Sequence, residues 1–280
     1  MNDRKTLSFK TKDGVKIVAD VVGPETAPLV VLLHGGGQTR RSWQDTAQAI
    51  ANLGYRAYAP DLRGHGDTSR SDNGEYTPNQ YVSDLQSMIG TIGGSAIVIG
   101  ASLGGIVGLL TAGEYGPSLI KALVLVDIAA RTNPSGSDRI RSFMTARPDG
   151  FASIDEAADA VAAYSADRPR PRDISGLARN LRKRGERYYW HWDPRFLTSW
   201  HLARQSNADR IEKAAQLLAI PVLLIHAAQS DILGRDEVDH LQSLIPHLTY
   251  KKVENAGHMV VGDQNNDFNR AIQNFLDDLH

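Results

Sequence analysis

A short, continuous apolar run stands at 29–33, and similar, largely apolar runs recur at 55–59, 96–99, 122–126, 222–225 and 248–253. A strand covered on both faces has no polar side to show, so runs of this length and composition predict buried, parallel strands. Between most of them, apolar residues recur three and four apart, predicting helices over 42–53, 78–92, 103–115, 234–244 and 267–279. Ahead of the first run, residues 6–22 alternate apolar and polar about Asp13-Gly14, the signature of an antiparallel hairpin. Strands alternating with helices imply right-handed crossovers. The expected fold class is therefore α/β, a mostly parallel sheet with helices on both faces.

One interval breaks the rhythm. No buried-strand run appears between Asp127 and Ile220, a stretch rich in Arg, Pro and aromatic residues. Helical segments are expected near 137–146, 153–165 and 174–184, so 130–212 reads as a helical insertion over the strand ends. The core would then comprise 1–129 and 213–280. Residues 130–205 carry 14 Lys or Arg against 9 Asp or Glu, a surplus of five positive charges. A solvated face is the expected use of that surplus, with a field focused on a cleft as the alternative. Trp190, Trp192, Trp200, Tyr188 and Tyr189, with His191 and His201 among them, are expected to pack the insertion onto the core. Trp190 and Trp192 are the candidates from this group for walls of a pocket.

Composition narrows the chemistry. At 280 residues, 41% hydrophobic and 22% charged, the chain suits one domain with an inserted subdomain. A net charge of −1 argues against nucleic acid or an anionic membrane surface as the main partner, and leaves a small molecule as the expected one. There is no cysteine, which removes disulfides, thiolate catalysis and Cys-ligated metal sites. No His-Glu-x-x-His pattern is present, so no metal is expected, and no cofactor. The polar start, Met1-Asn2-Asp3-Arg4, lacks the apolar core of a signal peptide, and no apolar run approaches membrane length. Both observations predict a cytoplasmic protein without a membrane partner; the oligomeric state, monomer or dimer, is left open.

Candidate chemistry starts at Gly100-Ala101-Ser102-Leu103-Gly104-Gly105, where a β-branched run gives way to a helical one. Gly-x-Ser-x-Gly at such a junction puts one serine at the apex of a sharp strand-to-helix turn, with its oxygen clear of the backbone. A serine hydroxyl needs a base, and the base needs an orienting carboxylate. Asp231, in the loop after the run 222–225, and His258, after the last strand run, stand at later strand ends in the required order. Asp127, at the end of the run 122–126, is the rival carboxylate; if unused in that role it would bond backbone near the strand end or line the pocket. An oxyanion hole needs the N–H after the nucleophile, Leu103, and a second from His34-Gly35-Gly36-Gly37. Gly36 is the preferred donor and Gly37 the second choice, with Gly37 also a candidate for the pocket wall. His34 is expected to bond the loop, and His65 to organise a tight turn with Asp61 and Arg63.

Taken together these segments, with Ala59-Pro60-Asp61-Leu62-Arg63-Gly64-His65-Gly66, resemble the α/β-hydrolase superfamily in its branch with a helical cap. The resemblance covers roughly 6–127 and 213–280 and implies an eight-stranded, mostly parallel sheet with the cap inserted after the sixth strand. It implies a triad of Ser102, Asp231 and His258, with Gly36 and Leu103 as oxyanion donors. Relatives that open epoxides or remove halogen use an aspartate at the elbow, and Ser102 excludes that route. A serine favours acyl transfer, so the expectation is hydrolysis of a carboxylic ester or lactone of a small, largely apolar substrate. Perhydrolysis of the haloperoxidase-like kind, carbon–carbon bond hydrolysis, and thioester or amide cleavage are alternatives for the same site. A ligand receptor built on the scaffold is the alternative outside catalysis.

Overall fold

The computed structural model describes residues 4–164, 174–257, 261 and 266–279. It opens with a hairpin, β1 (Lys5–Lys10) and β2 (Lys16–Val22), followed by β3 (Leu29–Leu33). A short 3-10 turn (Arg40–Trp43) leads into α1 (Gln44–Asn52), β4 (Arg56–Pro60), α2 (Pro78–Ile92), β5 (Ala96–Ala101), α3 (Leu103–Tyr115) and β6 (Ile120–Val126). Then come α4 (Pro134–Thr145), α5 (Ile154–Tyr164), α6 (Ser175–Ala178), β7 (Leu181–Arg184), β8 (Arg187–Trp190), α7 (Arg195–Ser206) and α8 (Ala208–Gln216). The chain closes with β9 (Val222–Gln229), α9 (Arg235–Leu244), β10 (Thr249–Gly257) and α10 (Asn266–Asp277).

Eight strands form one sheet in the order β1-β2-β4-β3-β5-β6-β9-β10. From β4 through β10 each neighbouring pair is parallel, while β1, β2 and the β2–β4 pairing are antiparallel. The central apolar runs are continuous because β3, β5, β6 and β9 each feed two cores by alternation. Val31, Leu33, Val98, Leu123, Leu125, Val222 and Leu224 pack on the side of α2, α3, α8 and α9. Val30, Leu32, Ile97, Ile99, Val124, Val126, Leu223 and Ile225 pack on the side of α1 and α10. Neighbours in sequence thus face opposite layers, and neither face is available to water. No helix among the described residues is long and apolar enough to cross a membrane.

The segment between β6 and β9 differs from expectation: it adds the helices α7 and α8, and it departs near 174–184. The helix expected near 174–184 is replaced by the single turn α6 and an antiparallel hairpin, β7–β8, whose register pairs Arg184 with Arg187. The two residues between them, Gly185 and Glu186, form the turn, and Gly185 takes φ +58°, a left-handed value that glycine adopts without a Cβ clash. Phe151 joins the hairpin through reciprocal backbone bonds with Tyr188 (2.7 and 2.8 Å). The bulky run Tyr188-Tyr189-Trp190 suits a pleated strand better than a helix.

The hairpin and α7 are fastened to the loop after β4. Asp193 N–H donates to Gly64 O (2.8 Å), Tyr76 Oη to Asp193 Oδ2 (2.7 Å), and Arg70 Nη2 to Trp192 O (3.2 Å). Arg182 reaches Asp67 (3.1 Å) and Arg195 reaches Ser71 O (2.8 Å), so two of the cations counted in the positive surplus act as staples. In the same loop, Arg63 is buried and bonds both Asp84 (2.6 and 2.9 Å) and Asp13 (2.7 and 3.0 Å).

Candidate active site

The chain switches direction across the sheet at β3, which lies between β4 and β5. In open α/β sheets the crevice beyond the carboxyl ends at such a switch point is where ligands bind. Two segments meet there: the glycine loop after β3, and the β5–α3 junction.

Ser102 is that junction. Its backbone has φ 46° and ψ −111°, a conformation of the kind that costs on the order of 1–3 kcal/mol for a residue with a Cβ. The turn closes because its flanks carry no side chain. A Cβ on Gly100 would lie 2.6 Å from the Gly105 amide nitrogen, and one on Gly104 would lie 2.6 Å from Leu33 C. Ser102 N–H donates to Val126 O (3.2 Å), and Ser102 O accepts from Ile106 N–H (3.1 Å). Ser102 is half-buried between Ala101 and Leu103, which are both buried. Leu103 is the first residue of α3, so its N–H points out of the helix terminus, where such groups lack intrahelical partners.

The glycine loop faces this serine. A Cβ on Gly35 would sit 3.4 Å from Ser102 Cβ. Gly35 N–H donates to Gln38 Oε1 (2.9 Å), Gln38 N–H returns to Gly35 O (3.1 Å), and Gln38 Nε2 donates to Val261 O (3.3 Å). Gln38 thereby ties the loop to the segment that follows β10. The Gly37 N–H is taken by His65 Nε2 (3.2 Å), whereas the Gly36 N–H has no partner among the described residues. That distribution favours Gly36 over Gly37 as a donor to a bound ligand. Apolar side chains from the inserted segment stand against the loop: Phe196 Cζ is 3.1 Å from a Cβ position on Gly36, and Trp192 Cζ3 is 3.3 Å from one on Gly37, beside Met144. Trp190 stacks on Trp192 (4.9 Å between centroids, 12° between planes), one layer further back, against Phe151 and Phe143.

The two candidate carboxylates have different surroundings. Asp127 is fully buried at the end of β6, with φ 49°. Its Oδ1 accepts from Ala227 N–H (3.0 Å) and its Oδ2 from Ser230 Oγ (2.6 Å). Ser230 Oγ in turn accepts from Leu233 N–H (3.1 Å) and Ile232 N–H (3.3 Å). Asp127 thus anchors the loop that carries Asp231. Asp231 itself is partly exposed, with Arg139 Nη1 4.0 Å from Oδ2, and its backbone is packed against Gly136. His258 follows β10 directly in sequence and lies outside the described residues.

The sequence profile of the α/β-hydrolase fold matches residues 28–264. The chain belongs to the α/β-hydrolase fold family. An esterase of Mycobacterium tuberculosis is 28% identical over 269 residues, spanning 90% of this chain and 84% of that protein. A 3-hydroxybutyrate-oligomer hydrolase of Cupriavidus necator is 27% identical over 248 residues, 84% of each chain. Among solved structures, E-2-(acetamidomethylene)succinate hydrolase superposes with a TM-score of 0.85 over 98% of this chain and 100% of that one, at 20% identity, which is a likeness of fold.

In this member of the α/β-hydrolase family, three buried imidazoles among the described residues surround the glycine loop, more than the sequence suggested. His34 bonds Gly35 O through Nδ1 (2.7 Å) and accepts from Leu62 N–H through Nε2 (2.9 Å). His65 and His191 hold Gly37. Burial lowers all three to about 3 from an ordinary 6.5, so all are neutral near pH 7. The consequence for stability follows from proton counting. Below pH 6.5 the unfolded chain binds protons that the folded one refuses, down to about 3, so stability is full above that window and falls with pH inside it. Each histidine is expected to remove about 2 kcal/mol between pH 7.5 and 5. Unfolding measured at both pH values checks this: the loss is large in the wild type and smaller by one histidine's share in His34→Gln. A wild-type transition that does not move contradicts it.

Proposed function

We propose that the chain is a serine hydrolase of carboxylic esters or lactones with a small, largely apolar acyl group. The observation that carries the reading is the positive-φ elbow of Ser102 set against a glycine loop in which the Gly36 N–H has no partner among the described residues. The hydrolase and esterase relatives support the same class of chemistry. In the proposed cycle His258 takes the Ser102 proton as Oγ attacks the substrate carbonyl. Leu103 and Gly36 N–H groups receive the oxyanion, and His258 then protonates the leaving alcohol. Water, deprotonated by His258, cleaves the acyl-enzyme, with Asp231 orienting the imidazole throughout. Met144, Trp192 and Phe196 beside the glycine loop favour a short, apolar acyl group.

The test is pre-steady-state hydrolysis of p-nitrophenyl esters. An acyl-enzyme route gives a burst of p-nitrophenol stoichiometric with active sites when deacylation is slower than acylation. Across acetate to dodecanoate, kcat/KM is expected to be greatest for acyl groups of two to about four carbons and to fall at least about tenfold by eight, since each badly placed methylene costs on the order of 1 kcal/mol. No hydrolysis of any ester, with tight retention of one of them, would instead support a receptor.

A further inference from the structure

Three consecutive peptide planes of the glycine loop are each held by a different imidazole. The Gly35–Gly36 plane is held through Gly35 O by His34 Nδ1 (2.7 Å). The Gly36–Gly37 plane is held through its N–H by His65 Nε2 (3.2 Å). The Gly37–Gln38 plane is held through Gly37 O by His191 Nε2 (3.1 Å). His34 and His65 belong to the loops after β3 and β4, while His191 comes from the segment between β6 and β9, 154 residues away in sequence.

The bonds fix the protons. His65 Nδ1 lies 3.0 Å from Arg63 O, and a carbonyl only accepts, so the His65 proton is on Nδ1 and Nε2 is free to accept from Gly37. His191 Nδ1 accepts from Gly66 N–H (2.8 Å), so its proton is on Nε2, where it donates to Gly37 O. Neighbouring rings, 5.9 Å apart, therefore carry opposite tautomers, and each is buried. Phe196 packs edge-on against His65 (4.6 Å) and also stands against Gly36, which limits any rotation of the ring or the loop. Protonating either imidazole would put two donors face to face.

We infer that His65 and His191 are positioning residues for catalysis at Ser102. By gripping Gly37 through its N–H and its C=O, they fix the direction of the neighbouring Gly36 N–H, and the inserted segment completes the oxyanion hole through His191. The inference rests on the reading of Gly36 as an oxyanion donor. Neither ring needs to touch substrate; the effect is carried by two peptide planes. A donor displaced by about 1 Å is enough to cost roughly 100-fold in rate.

The test uses His65→Leu, His65→Gln, His191→Leu and His191→Gln in the full chain. It reads kcat and KM on p-nitrophenyl acetate and inhibition by phenylboronic acid, whose tetrahedral adduct occupies the oxyanion hole. Both Leu variants are expected to lose about 10- to 100-fold in kcat with KM within about threefold, and to lose boronate affinity in parallel. Gln keeps an acceptor for Gly37 N–H or a donor for Gly37 O and is expected to restore most of the loss. Leu variants with unchanged kcat, or Gln variants as impaired as Leu, would overturn the inference. Should a Leu variant fail to fold, the tautomers decide: nitrogen-15 spectra of the wild type are expected to show His65 protonated on Nδ1 and His191 on Nε2 from pH 5.5 to 8. A shared tautomer or a titration near 6.5 would contradict it. Ser102→Ala separates the two levels, because full activity there removes the underlying reading. An inert Ser102→Ala with fully active Leu variants removes only this inference.

Discussion

Ser102→Ala is expected to lower kcat for p-nitrophenyl acetate by about 10⁴- to 10⁶-fold while the protein remains folded. The large loss reflects removal of the hydroxyl oxygen on which the acyl-enzyme would form. Residual turnover would come from the Gly36 and Leu103 N–H groups acting on bound ester and water. Stability offers a second readout at the same position. Alanine inherits φ 46° and its strain, so Ser102→Ala is expected to unfold near the wild-type temperature. Ser102→Gly is free of the Cβ and is expected to be more stable than Ser102→Ala by about 1 kcal/mol. A Ser102→Ala protein that hydrolyses the ester at the wild-type rate would sink the assignment of the nucleophile.

The second large effect separates the two carboxylates. Asp231→Asn is expected to cost about 10³- to 10⁴-fold in kcat, because an amide holds the base in the wrong tautomer and leaves its positive charge unsupported. Its effect on stability is expected to be small, since the carboxylate is partly exposed and its Arg139 contact is long, at 4.0 Å. Asp127→Asn is expected to behave in the opposite way. Its two oxygens accept from Ala227 N–H and Ser230 Oγ in a fully buried site; an amide nitrogen in place of Oδ1 would face the Ala227 N–H donor, and in place of Oδ2 a Ser230 hydroxyl that already accepts from Leu233 and Ile232. Leaving such a group unpaired costs about 1–3 kcal/mol, while kcat is expected to stay within about tenfold. Chemical denaturation and steady-state kinetics on the two variants check both halves. An inactive Asp127→Asn beside an active Asp231→Asn would move the orienting role to Asp127.

Sequence reading reached the sheet because the requirement there is simple. Strand segments such as 29–33 and 122–126 feed a core on each face, and only continuous apolar residues satisfy both. The elbow was legible for a related reason: Gly100 and Gly104 leave room that any Cβ would fill, so the backbone geometry dictates the residues. Reading failed at 174–184, where charged residues obscure the period and one left-handed glycine, Gly185, decides for a hairpin. It also missed Phe196, Met144, Gln38 and the grip of His191 on Gly37. These contacts join residues distant in the chain, such as Gln38 with Val261, and depend on how the inserted segment seats on the loop after β4. His65 and His191 lie far from the glycine loop along the chain, and a buried neutral imidazole has no local pattern that distinguishes it from a surface one.

Ser102, alone among the serines, is expected to react as an activated nucleophile. Treatment of the folded protein with a fluorophosphonate, followed by intact mass measurement and peptide mapping, tests it most directly. The expected result is one adduct per chain, on Ser102, with ester hydrolysis lost in step with labelling and no adduct on denatured protein or on Ser102→Ala. An unlabelled or differently labelled protein that still hydrolyses the ester would contradict it.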